Sequence, residues 1–208
     1  MTQADTTSDG VPTRRDPIGP GRLILLVGPS GAGKDTLLAL ARAASQGNVR
    51  IIFPRRVITR PSDGSEDHAT LSPTDFEKAV ADGAFAVWWG AHGHQYGIPG
   101  SAEDAIRSGR TVVCNVSRTV VQALRQRYAS VTVVLVTAPT AALEQRLAGR
   151  RRSSDGDLAD RVARSSKLAC ETDPDVVIDN VGDPGVAAER LLEVVRGDSS
   201  GRPAHTIV

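Results

Sequence analysis

The sequence has little net charge, few cysteines and no long apolar run. Its 25 lysines and arginines nearly balance 24 aspartates and glutamates, which leaves a formal net charge of +1. Proteins whose main partner is nucleic acid or a membrane surface usually carry a marked basic excess. The charge balance therefore argues against both partners, and the charge of an anionic substrate has to be met by local arginines.

The short apolar runs and the two cysteines indicate the cellular compartment in which the protein is expected. The runs LILLVG and VTVVLV fall far below the roughly 20 residues that cross a bilayer, so no membrane span is expected. Arg14 and Arg15 precede an apolar run too short for a twin-arginine export signal. Cys114 and Cys170 form no ligand-like pair and are expected to be free thiols. We therefore expect a cytoplasmic protein.

The chain is long enough for one well-buried domain of ordinary composition, with 40% apolar and 24% charged residues. Residues 1–20 are polar, punctuated by glycine and proline, and lack an apolar period, which predicts a disordered arm. Residues 197–208 look similar and are expected to form a flexible tail. The sequence therefore predicts one domain over residues 21–196.

Strand-like and helix-like segments alternate through this domain. RLILLVG, TVVCNV, VTVVLVTA and DVVID are apolar runs typical of buried parallel strands, whereas DTLLALARAA, AALEQRLAGR and VAAERLLEVVRG have helical spacing. The alternation predicts an α/β fold with a doubly wound parallel sheet. Between residues 50 and 100, extended segments flank one short helix, which we interpret as an inserted substrate-binding subregion. Capping patterns predict helix starts at Ser72 and Ser101.

The stretch GPSGAGKDT, residues 28–36, lies between the first strand and the first helix. Glycines at such a junction turn several backbone N–H groups toward one point, where the helix N-terminus adds partial positive charge. Lys34 can place its ammonium between terminal phosphates. The spacing predicts a phosphate-binding loop rather than a structural glycine turn. Its predicted nucleotide-binding residues are Gly28, Pro29, Ser30, Gly31, Ala32, Gly33, Lys34, Asp35 and Thr36.

Asp35 departs from the usual phosphate loop, where a Ser or Thr after the lysine contacts magnesium. A carboxylate in the first helical turn is stabilised by the helix dipole by about 0.3–1 kcal/mol. Carboxylate oxygen is also a hard donor that suits Mg²⁺. The strand TVVCN ends in Asn115 rather than in the Asp often found there to help hold the metal. We favour magnesium contact by Asp35, direct or through water, over a purely structural role, with Thr36 as a lesser candidate.

The motifs resemble those of a known family. GPSGAGK, TRP, EDHATLSPTDF, GAFAVWWGAHGHQYGIP and RLAGRRRSSDGDLADRV resemble the guanylate-kinase-like P-loop kinases across residues 21–196. In detail the chain is most similar to the ribose 1,5-bisphosphate phosphokinases of phosphonate degradation, through GKD, RRVITRP, EDH, AHG, YGIP and NVSR in that order. The resemblance implies a P-loop kinase with an arginine-rich lid that uses ATP and Mg²⁺. It also implies a small phosphorylated sugar as substrate.

Three positions differ from true guanylate kinases. Val87 stands where those enzymes are expected to carry a glutamate that reads guanine, His68 replaces a tyrosine, and Asn115 replaces an aspartate. Valine accepts no hydrogen bond, and each unpaired guanine donor would cost about 1–3 kcal/mol. These departures favour an acceptor with phosphates and a sugar but no base. The alternatives are a guanylate or other nucleoside monophosphate kinase and a catalytically inactive binding module.

The resemblance also implies residue roles. The catalytic candidates are Lys34 and the lid arginines Arg146, Arg150 and Arg161. Substrate contact is expected of Arg56, Arg60, His68, His92, Tyr96, Asn115, Ser117 and Arg118. Asn180 lies where relatives contact adenine, although it could equally cap a turn. Among the histidines, His92 and His94 have a spacing compatible with zinc, but no cysteine or second carboxylate completes a ligand set, so a zinc site is not expected.

Overall fold

The structure is a computed structural model that describes residues 16–61, 67–148 and 173–197. Of the predicted segments, residues 1–15 of the arm, residues 198–208 of the tail and the lid residues Arg150 and Arg161 lie outside the described residues, as does Cys170. Cys114 is a buried free thiol, as predicted.

The described residues form nine strands and six α-helices. The strands are β1 Arg22–Val27, β2 Ile51–Ile52, β3 Arg56–Ile58, β4 His68–Thr70, β5 Phe85–Ala91, β6 His94–Pro99, β7 Thr111–Asn115, β8 Val131–Thr137 and β9 Val176–Asp179. The helices are α1 Lys34–Ala44, α2 Pro73–Ala81, α3 Ser101–Arg107, α4 Val121–Arg127, α5 Thr140–Ala148 and α6 Pro184–Arg196.

Five of the strands form one sheet in the order β2-β7-β1-β8-β9. The pairs β2–β7 and β8–β9 are parallel, with Ile51 opposite Thr111 and Val134 opposite Val176. Five successive residues of β1 are buried, as expected for a strand covered on both faces. Because neighbouring strands in this sheet are far apart along the chain and are connected through helices, the predicted α/β fold with a parallel sheet is confirmed.

The other four strands form a second sheet in the order β4-β3-β6-β5. Strand β6 pairs antiparallel with both β3 and β5, whereas β3 and β4 are parallel. His92 and Gly93 connect β5 to β6 with φ angles of 52° and 74°. Positive φ at both central residues is the geometry of a type I′ hairpin turn, which matches the twist of the two strands.

The serine cap predicted for α2 is present, whereas the serine cap predicted for α3 is not. Ser72 caps α2, and its hydroxyl accepts a hydrogen bond of 3.1 Å from the Asp75 amide, as predicted. Helix α3 begins at Ser101, as predicted, but its N-cap is Gly100, so Ser101 lies in the helix and does not cap it. Gly100 has helical φ and ψ angles and its amide donates to Ala84 O at 2.8 Å. No side chain caps the first turn of α3.

A buried ion pair joins α3 to α4. Glu103 accepts from Arg107 at 2.7 Å and also from Arg127, whose side chain is only 7% exposed. Burial alone would raise the pKa of Glu103, but the hydrogen bonds and charges of the two arginines outweigh it and hold the pKa below its ordinary value. Glu103 is therefore ionised at neutral pH and compensates the buried charge of Arg127.

The contact pattern divides the chain into two compact units. One comprises described residues within 1–23, 49–112 and 119–131, including the four-stranded sheet, and the other those within 24–48, 113–118 and 132–208. Packed chain begins before the predicted boundary at residue 21, because Ile18 is 2% exposed and bridges to Tyr128. No helix within the described ranges is long and apolar enough to cross a membrane.

Candidate active site

The phosphate loop follows β1 and ends at α1, and two of its glycines have conformations and surroundings that exclude a side chain. Gly28 has a φ of 144°, and a Cβ there would lie 2.1 Å from Val136 O. Gly33 has a φ of 91° and is the N-cap of α1. A Cβ at Gly33 would lie 2.2 Å from the side-chain nitrogen of Asn180. Only glycine fits these two positions without displacing its neighbours.

The Lys34 side chain folds back over this loop. Its Nζ donates hydrogen bonds to Gly28 O at 2.8 Å and to Pro29 O at 2.9 Å. Lys34 is also the first residue of α1, whose N-terminus carries partial positive charge. The loop therefore combines a fixed ammonium group with a helix N-terminus, an arrangement suited to phosphate oxygens.

Asp35, in the first turn of α1, accepts a hydrogen bond from Asn115 at the end of β7. The distance from Asn115 Nδ2 to Asp35 Oδ1 is 2.9 Å. Asn115 is 5% exposed, whereas Asp35 is half-buried. The structure thus brings together a residue that the sequence assigned to the nucleotide and one assigned to the sugar substrate.

Arg146 and Asn180 contact the backbone of the phosphate loop. Asn180 is 2% exposed, and its Nδ2 donates to Ala32 O at 2.7 Å. Arg146, on α5, donates to Asn180 O at 3.1 Å and makes a longer contact of 3.4 Å with Gly31 O. These hydrogen bonds tie the carbonyl groups of the loop to α5 and to the end of β9.

Ser117 and Arg118 follow β7 after Val116, and both are half-buried. Arg118 begins a 3₁₀ turn that ends at Val120. The chain ahead of them is fixed, because Val116 N donates to Leu26 O at 3.1 Å. Ser117 and Arg118 therefore lie at the carboxyl end of a parallel strand, where open α/β sheets bind their ligands.

In the other unit, strand register places three substrate candidates on one face of the four-stranded sheet. Arg56 is paired with His68, and Ile58 is paired with both Thr70 and Tyr96. Paired residues share a face and side chains alternate along a strand, so Arg56, His68 and Tyr96 face the same way. The Arg56 guanidinium lies 6.0 Å from the centre of the Tyr96 ring, within reach of a cation–π interaction.

His68 is 2% exposed and contacts the backbone of another candidate, Arg60. Its Nε2 lies 3.2 Å from Arg60 O. Because a carbonyl oxygen only accepts hydrogen bonds, Nε2 is the donor in this contact. Thr70 Oγ1 also donates to Arg60 O, at 3.3 Å. The backbone of Arg60 is thus fixed where β3 ends.

Val87, where the resemblance implies a guanine-reading glutamate in guanylate kinases, lies on the same face of this sheet. Val87 is paired with Ile98 and is 3% exposed. Two residues further along the strand, Trp89 is stacked on Tyr96 with ring centres 5.6 Å apart. Val87 therefore lies near a stacked aromatic pair, and as a valine it offers no side-chain hydrogen-bond acceptor.

His92 is exposed at the hairpin turn between β5 and β6. The turn geometry gives a local reason for the dipeptide His92–Gly93. The sequence suggested a phosphate or sugar contact for His92 and a spacing with His94 compatible with zinc, but it did not identify the turn.

The residues present fit Mg²⁺ at the loop. Within the described part of the chain, no group of three or more His, Cys, Asp or Glu side chains could hold a metal by itself. Mg²⁺ in kinases instead uses one or two protein oxygens together with substrate phosphates. The Asp35 carboxylate, fixed by Asn115 beside the phosphate loop, is such an oxygen donor.

The pairing of Asp35 with Asn115 was missed in the sequence, although a signal was present. Two departures from the usual pattern, a carboxylate in the loop and an amide at the strand end, occur together. The sequence does not show that β7 is the neighbour of β1, the strand that leads into the phosphate loop. Without this strand order, the proximity of Asp35 and Asn115 cannot be predicted.

Comparison with known proteins agrees with the fold. Residues 20–187 match the family model of guanylate kinase. The chain is 53% identical to ribose 1,5-bisphosphate phosphokinase PhnN of Bradyrhizobium diazoefficiens, covering 88% of this chain and 91% of the relative. The corresponding protein of Rhodopseudomonas palustris is 52% identical, with coverages of 89% and 92%.

Among solved structures, guanylate kinase from Anaplasma phagocytophilum aligns with a TM-score of 0.62 at 20% identity, covering 88% of each chain. That likeness supports the fold. The family match and the two close relatives also identify the family, because these matches extend over almost the whole chain. The chain therefore belongs to the guanylate kinase family and, within it, to the ribose 1,5-bisphosphate phosphokinases PhnN.

Proposed function

We propose that the protein transfers the γ-phosphoryl group of ATP to the 1-phosphate of ribose 1,5-bisphosphate, with 5-phosphoribosyl 1-diphosphate and ADP as products. The names of the relatives from B. diazoefficiens and R. palustris support this activity. As the resemblance implies, the reaction serves phosphonate breakdown in the cytoplasm. The partner is a small phosphorylated sugar rather than nucleic acid or a membrane.

The choice of acceptor rests on one structural observation, the burial of Val87. It is 3% exposed on the face that also holds Arg56, His68 and Tyr96. A buried valine accepts no hydrogen bond from guanine, whose donors would remain unpaired at a cost of about 1–3 kcal/mol each. The cationic and polar side chains of the same face suit the phosphates and hydroxyls of a sugar bisphosphate.

The proposed reaction requires alignment more than proton transfer. An oxygen of the 1-phosphate attacks the γ-phosphorus of ATP, the new P–O bond forms, and the bond to the β,γ-bridging oxygen breaks to release ADP. The attacking phosphate oxygen is already anionic at neutral pH, so no strong general base is needed. Catalysis then rests on positioning and on stabilising the charge of the transferring group.

Lys34 and the loop amides perform the charge stabilisation in this proposal. Lys34 Nζ already lies within 2.9 Å of two loop carbonyls and can turn to the terminal phosphates of ATP. Asp35 would hold Mg²⁺, which when bound with ATP neutralises phosphate charge. Arg146 and Asn180 fix the loop carbonyls, so that the amides between them keep their direction.

The sheet residues bind the acceptor in this proposal. Arg56 and Arg60 supply cations for its phosphates, and Tyr96 supplies a hydroxyl group. His68 acts on Arg60 through the 3.2 Å contact with its carbonyl oxygen, in addition to the substrate contact expected from the sequence. Ser117 and Arg118, at the end of β7, are further candidates for phosphate contact.

The test supplies the purified full chain with ATP and Mg²⁺ and, in separate reactions, ribose 1,5-bisphosphate or GMP. We expect ADP release to require the sugar bisphosphate and to be at least 100-fold slower with GMP, as expected when two guanine donors lose about 3 kcal/mol in total. ADP release with GMP alone would assign the protein to the nucleoside monophosphate kinases. Absence of ATP binding by calorimetry would favour the inactive binding module.

A further inference from the structure

Two positions of the phosphate-loop architecture have exchanged their side-chain chemistry. In P-loop enzymes generally, a hydroxyl residue after the loop lysine and an Asp at a neighbouring strand end hold Mg²⁺. In this chain the loop position is the carboxylate Asp35, and the strand-end position is the amide Asn115. We infer that Asn115 is a positioning residue that orients Asp35 as the protein ligand of Mg²⁺, so that ligand and support have changed places.

The hydrogen bond between the two residues shows which of them orients the other. Asn115 Nδ2 donates to Asp35 Oδ1 at 2.9 Å, and an ionised carboxylate only accepts. A carboxylate has two oxygens with about four lone-pair sites, so it can accept from Asn115 and still coordinate a metal. Because Asn115 is 5% exposed at the end of a buried strand, its position is fixed by the sheet. It can therefore orient the more exposed Asp35.

Charge explains why an amide stands at the strand end. A second carboxylate 2.9 Å from Asp35 would repel it, because two negative charges at that distance interact unfavourably. With Asn115 the pair keeps one negative charge, as it does when a hydroxyl residue is paired with a strand-end Asp. The exchange thus preserves the charge that faces Mg²⁺ and ATP while it moves the ligand from the strand to the helix.

The inference rests on the proposed use of Mg²⁺ and ATP. The test distinguishes failure of the inference from failure of that proposed function. Binding of the non-hydrolysable analogue AMP-PNP is measured by calorimetry at a series of Mg²⁺ concentrations, without any acceptor, and Mn²⁺ binding in the presence of the analogue is followed by electron paramagnetic resonance. The proteins are the wild type, Asn115→Leu, Asp35→Thr and the double variant Asp35→Thr/Asn115→Asp. Asp75→Thr is the control, because Asp75 also lies in the first turn of a helix.

We expect Asn115→Leu to weaken Mg²⁺-dependent binding about 10- to 100-fold, as loss of a supporting residue typically does at metal sites. Asp35→Thr is expected to weaken Mg²⁺-dependent binding more than Asn115→Leu does. The double variant restores the usual hydroxyl and strand-end carboxylate and is expected to bind Mg²⁺ at least 10-fold more tightly than Asp35→Thr. Asp75→Thr is expected to bind like the wild type.

Two results would overturn the inference. One is an unchanged Mg²⁺ dependence in Asn115→Leu together with a lower melting temperature, which would make the hydrogen bond a structural link. The other is a folded double variant that binds no better than Asp35→Thr, which is informative even if Asn115→Leu does not fold. If the wild type itself fails to bind AMP-PNP with Mg²⁺, the proposed kinase function fails first.

Discussion

The phosphate loop and the four-stranded sheet position their functional groups in different ways. In the loop, residues 28–36 are consecutive, and the contacts of Lys34 and Asn180 are made to backbone carbonyl groups. In the sheet, Arg56, His68 and Tyr96 come from three different strands and share a face because of strand register. The loop is thus a local backbone structure, whereas the sheet is a surface of side chains assembled from distant parts of the chain.

This difference separates two properties of a kinase. Backbone amides and a lysine can hold the phosphates of ATP whatever the acceptor is, because they read only charge and shape. In the proposed function the acceptor is bound instead by side chains of the sheet, which come from strands separate from the loop. Loop variants should therefore change the rate of phosphoryl transfer, and sheet variants should change the affinity for the acceptor.

The largest effect is expected from the loop variant Lys34→Met. Removing the ammonium group takes away a cation that stabilises the transferring phosphoryl group, and loss of one such donor typically lowers kcat about 100- to 1000-fold. Steady-state kinetics with ribose 1,5-bisphosphate would measure the change.

Lys78→Met serves as the matched control, since the Lys78 side chain is 72% exposed on α2. It should retain wild-type kcat, and both variants should melt near the wild-type temperature. A folded Lys34→Met enzyme with wild-type kcat would contradict the role assigned to the loop lysine.

A smaller effect is expected from the sheet variant Arg56→Gln. Arg56 lies on the face with His68 and Tyr96, and loss of a hydrogen bond to a charged group costs about 1.5–3 kcal/mol. The KM for ribose 1,5-bisphosphate should rise at least 10-fold, while the Kd for ATP stays unchanged.

The adjacent arginine provides the control for that measurement. Arg55 precedes β3 and forms an exposed ion pair of 2.7 Å with Asp67. Arg55→Gln should leave both constants near the wild-type values, because exposed pairs contribute little. Equal rises in KM for the two variants would show that only the overall charge matters and would remove the distinction between the loop and the sheet.

The smallest effect on activity is expected at Glu103, which belongs to neither region. Glu103→Gln leaves Arg127 buried without its carboxylate partner and should lower the free energy of unfolding by about 1–3 kcal/mol at pH 7. The values of kcat and KM should not change. Urea unfolding and kinetics on the same preparation would measure both effects.

The difference between wild type and Glu103→Gln should depend on pH. The pKa of Glu103 is lowered in the folded protein, so its stabilisation is fully present above the unfolded value of about 4.3. It is lost as the pH falls through the lower folded pKa, and the two proteins should then converge in stability. A difference that grows on acidification would mean that the ion pair does not stabilise the fold.

The sequence predicted the features that depend on neighbouring residues. The glycines and lysine of the loop, the buried run of β1 and the Ser72 cap all combine a local conformation with a residue type that favours it. The sequence placed the start of α3 correctly at Ser101 but not its cap, which is Gly100, a residue held by a backbone hydrogen bond to the distant Ala84. Local patterns contain no information about such pairing.

Contacts between distant residues were harder to predict. The sequence suggested roles for Asp35 and Asn115 separately, but their hydrogen bond depends on how β7 is placed relative to the loop. Likewise, the sequence proposed a substrate contact for His68 but did not indicate that its Nε2 also contacts Arg60 O. Register and strand order, which sequence spacing does not determine, decide both contacts.

The most direct test is a competition experiment followed by ³¹P nuclear magnetic resonance. The wild-type chain is given limiting ATP, Mg²⁺ and equal concentrations of ribose 1,5-bisphosphate and GMP. The proposed function predicts that the diphosphate resonances of 5-phosphoribosyl 1-diphosphate appear as those of ATP decline, with no GDP formed. Accumulation of GDP with ribose 1,5-bisphosphate unchanged would contradict it.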